Sequence, residues 1–118
     1  MNALSYPRFG GVTASEQLAF VRDVFGLSKT EMGRLFGVKR QAVDQWEAGI
    51  PPERSAQVNR LVELGQFLQR RLVPVRIPEI VRTPARGLQG KTMLAILTQY
   101  GPDPIYDYVA RLAAYPNA

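Results

Sequence analysis

The chain has 118 residues, 46% of them hydrophobic, and a net charge of +5, enough apolar material for one packed domain or two very small ones. It contains neither cysteine nor histidine, which excludes disulfides, thiolate metal sites, cysteine nucleophiles and the commonest general base and metal ligand. No apolar run approaches a membrane span and Met1–Gly10 lacks the apolar core of a signal peptide, so a soluble cytoplasmic protein without a membrane partner is expected.

The charge is uneven. Residues 1–50 carry six cations and five anions, whereas residues 51–118 carry nine and five. A basic balance suits nucleic acid or an acidic protein partner and identifies neither.

In chain order, Met1 to Val12 reads as an irregular lead-in, with Pro7 and the pair Gly10-Gly11. In "TASE", Thr13 and Glu16 form a capping box, the reciprocal side-chain and backbone bonding that starts a helix. Leu18, Val21 and Phe25 follow at helical spacing, and Gly26 ends the helix. "SKTE" repeats the box with Ser28 and Glu31. Met32, Leu35 and Phe36 then make an apolar stripe of barely two turns, stopped by Gly37. A third helix is expected from about Arg40 to Ala48, closed by Gly49 and Pro51-Pro52. Two short helices joined by a turn of three or four residues have the length pattern of a helix-turn-helix.

Ser55 to Leu72 is expected to form a longer helix. Its stripe of Val58, Leu61, Gly65, Leu68 and Leu72 suits the core or a dimer seam. From Pro74 to Pro84 three prolines fall in eleven residues, leaving room for a short helix near Pro78–Arg82 and marking a junction. Thr92 to Tyr100 makes another helix, stopped by Gly101-Pro102. Asp103 is expected to cap the last helix with Pro104 at its first position. There Ile105, Tyr108, Val109, Leu112 and Tyr115 share one face. No alternating strand pattern and no repeat occurs, so the fold class is all-α.

The only tryptophan, Trp46, sits in a polar run. At 100° per residue Val43 and Trp46 share one face of the third helix, while Gln41, Asp44, Gln45 and Ala48 fall opposite and Arg40 lies on the flank. Trp46 is therefore expected as a core anchor that leaves the polar face outward. The DNA major groove admits one helix, and Arg and Gln make paired hydrogen bonds to guanine and adenine edges; an ordinary solvated face is the plain alternative. Gly33 permits close approach between the two short helices, and Gly37 supplies a positive-φ turn.

"GLSKTEMGRLFGVKRQAVDQWEAG" resembles the Xre-type helix-turn-helix of phage repressors. The match lies in Leu27-Ser28, the mid-helix Gly33, Gly37-Val38 at the turn, and Val43-x-x-Trp46-Glu47-x-Gly49. The resemblance implies that Lys29 and Lys39 touch phosphates and that Arg40, Gln41, Asp44 and Gln45 face base edges. It also implies a structural pair between Arg22 and Glu47. Lys39 stands where the family has Ser or Thr, which weakens the cap and adds charge.

In the second half, "RGLQGKTM" suggests a phosphate-binding loop, but Ala85 occupies the position of the first glycine and no strand precedes it, so an NTPase is not expected. With no histidine or cysteine and few carboxylates, no catalytic residue, metal or cofactor is assigned. "IPEIVRTPARGLQGKTMLAILTQYGPDPIYDYVARL" is similar to the carboxy-terminal domain of the Xre/MbcA/ParS antitoxin family. Thr83-Pro84, Leu88, Gly90-Lys91-Thr92, Leu94, Leu97, Gly101, Val109 and Leu112 match. Met93 replaces a common proline, and the tryptophan frequent in the preceding short helix is absent.

The resemblance divides the chain into a helix-turn-helix domain, residues 1–73, and a small helical toxin-binding or dimerisation domain, residues 74–118. It implies a homodimeric antitoxin of a RES–Xre toxin–antitoxin pair, which blocks a NAD-attacking RES-domain toxin and binds double-stranded operator DNA of its own operon. The outward face of the last helix, Tyr106, Ala110, Arg111 and Ala114, is the expected toxin contact, with a solvated face as the alternative. The Arg-rich middle faces DNA, toxin or, for most of it, water. The rival reading is a stand-alone dimeric repressor whose second half only dimerises.

Overall fold

In the computed structural model, which describes residues 13–114 without the side chains of 113 and 114, the first helices begin and end where their caps dictate. In α1 (Ala14–Phe25), the Thr13 hydroxyl accepts from the Glu16 amide at 3.1 Å, and the Glu16 carboxylate accepts from the Thr13 amide at 3.0 Å. Gly26 closes α1 at φ 66°, a left-handed conformation that glycine adopts without steric cost. The same device starts α2 (Lys29–Phe36) with Ser28 and Glu31 and ends it at Gly37, φ 73°. The lead-in Met1–Val12 and Tyr115 lie outside the described residues.

Lys39 occupies the cap position of α3 (Arg40–Trp46) without a side-chain cap bond, as its chemistry requires, since an ammonium cannot accept. The long helix α4 (Pro52–Arg71) starts three residues before the expected Ser55. Proline in the first turn needs no amide partner, and the Pro51 carbonyl takes the amides of Arg54 and Ser55 at 2.8 and 3.1 Å.

The Pro74–Arg76 stretch is a single 3-10 turn, leading into the short α5 (Ile77–Ile80). Thr92 caps α6 (Met93–Tyr100) by accepting from the Ala95 amide at 3.0 Å. The last helix, α7 (Asp103–Ala114), begins one residue earlier than expected. The Pro102 carbonyl accepts from Ile105 and Tyr106 at 2.9 and 3.1 Å. Asp103 thus falls in the first turn, where it meets Arg60 at 3.6 Å instead of capping.

The described residues form no strand; a lone bridge joins Ala85 to Lys91 across the Gln89-Gly90 turn. Helix α4 packs on α1 and α7, α2 on α3 and α6, and α5 on α1. One hydrophobic cluster therefore runs from Leu18 of α1 through Val58, Leu64 and Leu68 of α4 to Val81, Ile105 and Val109. The motifs on either side of position 73 share that core. Among the described residues no helix is long and apolar enough to cross a membrane.

Candidate nucleic-acid interface

Helices α2 and α3 are joined by Gly37-Val38-Lys39, and the joint is tight. The Val38 amide donates to the Gly33 carbonyl at 2.8 Å. A Cβ at Gly33 would lie 2.7 Å from the Val38 carbonyl oxygen and 3.2 Å from the Arg40 nitrogen. Only glycine lets the turn settle onto α2 without displacing backbone.

Beneath α3, Val43 and Trp46 are buried, at 1% and 5% exposure. The Trp46 ring meets Phe36 edge-on at 5.4 Å between centroids, a favourable aromatic arrangement. Arg54 also lies against the ring, with the guanidinium carbon 5.8 Å from the ring centroid and Nη1 donating to the Phe36 carbonyl at 3.1 Å. Trp46 is thus the anchor expected from its spacing, and the polar run around it is the opposite face of the same helix.

That face carries Arg40, Gln41, Asp44 and Gln45, all exposed, with exposed Lys39 at its start. Lys29, half-buried at the start of α2, is not an open cation. Its ammonium lies 2.6 Å from Asp44 Oδ1 and 3.7 Å from Glu47 Oε2. The Asp44 hydrogen bond raises the Lys29 pKa and Lys29 in turn holds the Asp44 carboxyl below its usual range. The expected ion pair of Glu47 with Arg22 is replaced: Arg22 and Glu47 line one 270 Å³ cleft with Lys29, and Lys29 reaches the carboxylate there. The sequence motif identified the carboxylate but not the cation, because two basic residues compete for the same space.

The face proposed for a protein partner is altered more. Ile105 and Val109 of α7 are buried, and Ala110 and Arg111 are exposed, as expected. Tyr106 does not point outward. It is half-buried, with its ring 4.8 Å from that of Phe67 on α4, and burial is the first cause of its raised phenol pKa. Helix α4 packs against this flank of α7 and extends the buried arc to Tyr106. Leu112, on the expected inward stripe but in the last turn, is 43% exposed. The side chain of Ala114 lies outside the described residues. Beside Arg111 a 370 Å³ hollow is lined by Gly87, Lys91, Tyr100 and Asp107, among others, and the Lys91 ammonium stands 5.7 Å from the Tyr100 ring centroid.

Most of the Arg-rich middle is exposed, as expected, with Arg60, Arg70, Arg71, Arg76 and Arg86 all reaching solvent; Arg82 is an exception. Arg82 bonds the Phe25 carbonyl at 2.9 Å, the Gly26 carbonyl at 2.7 Å, Pro78 at 2.9 Å and Glu31 Oε1 at 2.9 Å. Arg71 stacks on Phe67, 4.8 Å from its centroid, and Arg76 pairs with Glu79 at 3.0 Å. No sequence signal locates Phe25, Gly26 and Glu31 as partners of Arg82, from which they lie more than fifty positions away.

Comparison of the chain with protein-family models, curated proteins and solved structures finds no match.

Proposed function

We propose that the chain is a DNA-binding antitoxin. It reads an operator through α3 as a homodimer and neutralises a RES-domain toxin through its second half. The observation that carries the DNA part is the disposition of α3: Trp46 and Val43 pinned inward, Arg40, Gln41 and Gln45 exposed on one face. A single outward helix with guanidinium and amide ends is the shape and chemistry that a major groove accepts. Arg40, Gln41 and Gln45 take the base edges, and Lys39 takes phosphate. The partner part rests on the sequence resemblance of residues 77–112. Within that face Ala110 and Arg111 are the exposed members, while Tyr106 supports the fold.

The rival reading, a stand-alone dimeric repressor, is favoured by one observation: residues of the second half complete the same hydrophobic cluster as the helix-turn-helix. A second half needed to finish the core has a role without a toxin. Co-expression with a RES-domain toxin encoded beside this chain separates the two. The antitoxin reading expects growth rescue and a complex that co-purifies; toxicity without a complex leaves the repressor.

A further inference from the structure

The Lys29 ammonium is held by two carboxylates of the recognition helix. Asp44 lies on α3 and Glu47, three positions on, is its C-terminal cap in helical conformation, so both reach back toward the start of α2. Asp44 is also the single carboxylate among the exposed residues Arg40, Gln41, Asp44 and Gln45, and its oxygen is committed to Lys29 at 2.6 Å. A carboxylate so engaged is poorly placed to accept from a base edge. An ammonium so engaged neutralises no DNA phosphate, and so releases none of the cations condensed there. Non-specific affinity comes from that release, whereas specific affinity adds base contacts.

We infer that Asp44 is a specificity-determining residue that acts through Lys29, withholding one cation from DNA phosphates so that binding depends on Arg40, Gln41 and Gln45. This inference rests on the DNA-reading function proposed above. It assigns Asp44 and Lys29 a different task from the base and phosphate contacts that the resemblance implies.

The test is a double-mutant cycle on the full chain: wild type, Asp44→Asn, Lys29→Gln and the double variant, each titrated into a random-sequence duplex over a salt series. Asp44→Asn keeps side-chain shape and Lys29→Gln keeps a polar, helix-compatible side chain without the charge; helical circular dichroism at the assay temperature checks that each chain is folded. Asp44→Asn is expected to bind random DNA several-fold more tightly at low salt. Its log–log salt dependence should steepen by about 0.9, the release accompanying one more neutralised phosphate. Lys29→Gln alone is expected to leave the wild-type slope, and in its background Asp44→Asn is expected to change nothing. Equal gains from Asp44→Asn with and without Lys29 overturn the inference, because the effect is then that of a lost negative charge. A wild-type loss of slope in Lys29→Gln also overturns it, since Lys29 is then already on phosphate. A wild type that binds no duplex at any salt overturns the DNA reading itself, and the inference with it.

Discussion

Arg82 Nη2 lies 2.9 Å from Glu31 Oε1, an oxygen that also accepts from the Ser28 amide at 2.9 Å. One carboxylate thus starts helix α2 and ties it to the segment after α5. The same guanidinium also closes the exit of α1 by bonding the Phe25 and Gly26 carbonyls. The second half of the chain thereby fixes the entry to α2.

Arg82→Ala is expected to destabilise the protein by about 2–3 kcal/mol, the scale of hydrogen bonds made by a charged group. Arg82→Lys is expected to recover little, since one ammonium cannot span the acceptors a planar guanidinium reaches. Urea denaturation measures both, and full stability in Arg82→Lys would show that charge alone suffices.

Acid should weaken this arrangement. Glu31 is held below the usual glutamate range, first by the Ser28 amide and also by Arg82. Glu16, in the matching box of α1, is lowered by Thr13, and Asp44 by Lys29. A carboxyl whose pKa is lower folded than unfolded contributes stability above its unfolded value and loses it as pH falls through the folded one. The urea midpoint is therefore expected to hold above about pH 4.5 and to fall below it, the reference value for glutamate being near there. In Glu31→Gln that acid loss should shrink.

The two halves are expected not to separate cleanly. Residues 1–73 alone would expose the sides of Val24, Phe25, Leu64 and Leu68 in the cluster that Ile77, Val81, Ile105 and Val109 complete. Such a fragment should show shallow thermal unfolding and broad amide resonances. A cooperative transition at the full-chain temperature would show that the core divides at the proline-rich junction after all.

How far this could be read in advance follows from the range of each interaction. Caps and stops are local: Thr13 with Glu16, Ser28 with Glu31, Gly26 and Gly37 all act within a few residues, so their spacing is visible in the chain. The placement of Trp46 follows from helix period alone. Choices between competing partners are not local. Glu47 has two basic neighbours in space and takes Lys29, and Tyr106 is covered by Phe67 of a helix nearly forty positions earlier. Arg82 reads as one more solvated arginine until α1 and α5 are packed together.

Trp46→Ala is expected to cost about 3–5 kcal/mol, as for other large buried aromatics. Because Trp46 is the only tryptophan, its emission reports the unfolding of wild type directly, while circular dichroism follows the variant. An unchanged melting temperature with lost DNA binding would make the ring a contact residue.

The central claim, that α3 reads base sequence, is tested most directly by comparing Arg40→Ala with wild type on two duplexes at one salt concentration. One is the duplex that wild type selects from a random library, and the other has the same composition scrambled. Loss of about 1–3 kcal/mol on the selected duplex, with little change on the scrambled one, is the predicted result. Equal losses on both would contradict it, and Arg40 would then be a phosphate contact on a helix that does not read sequence there.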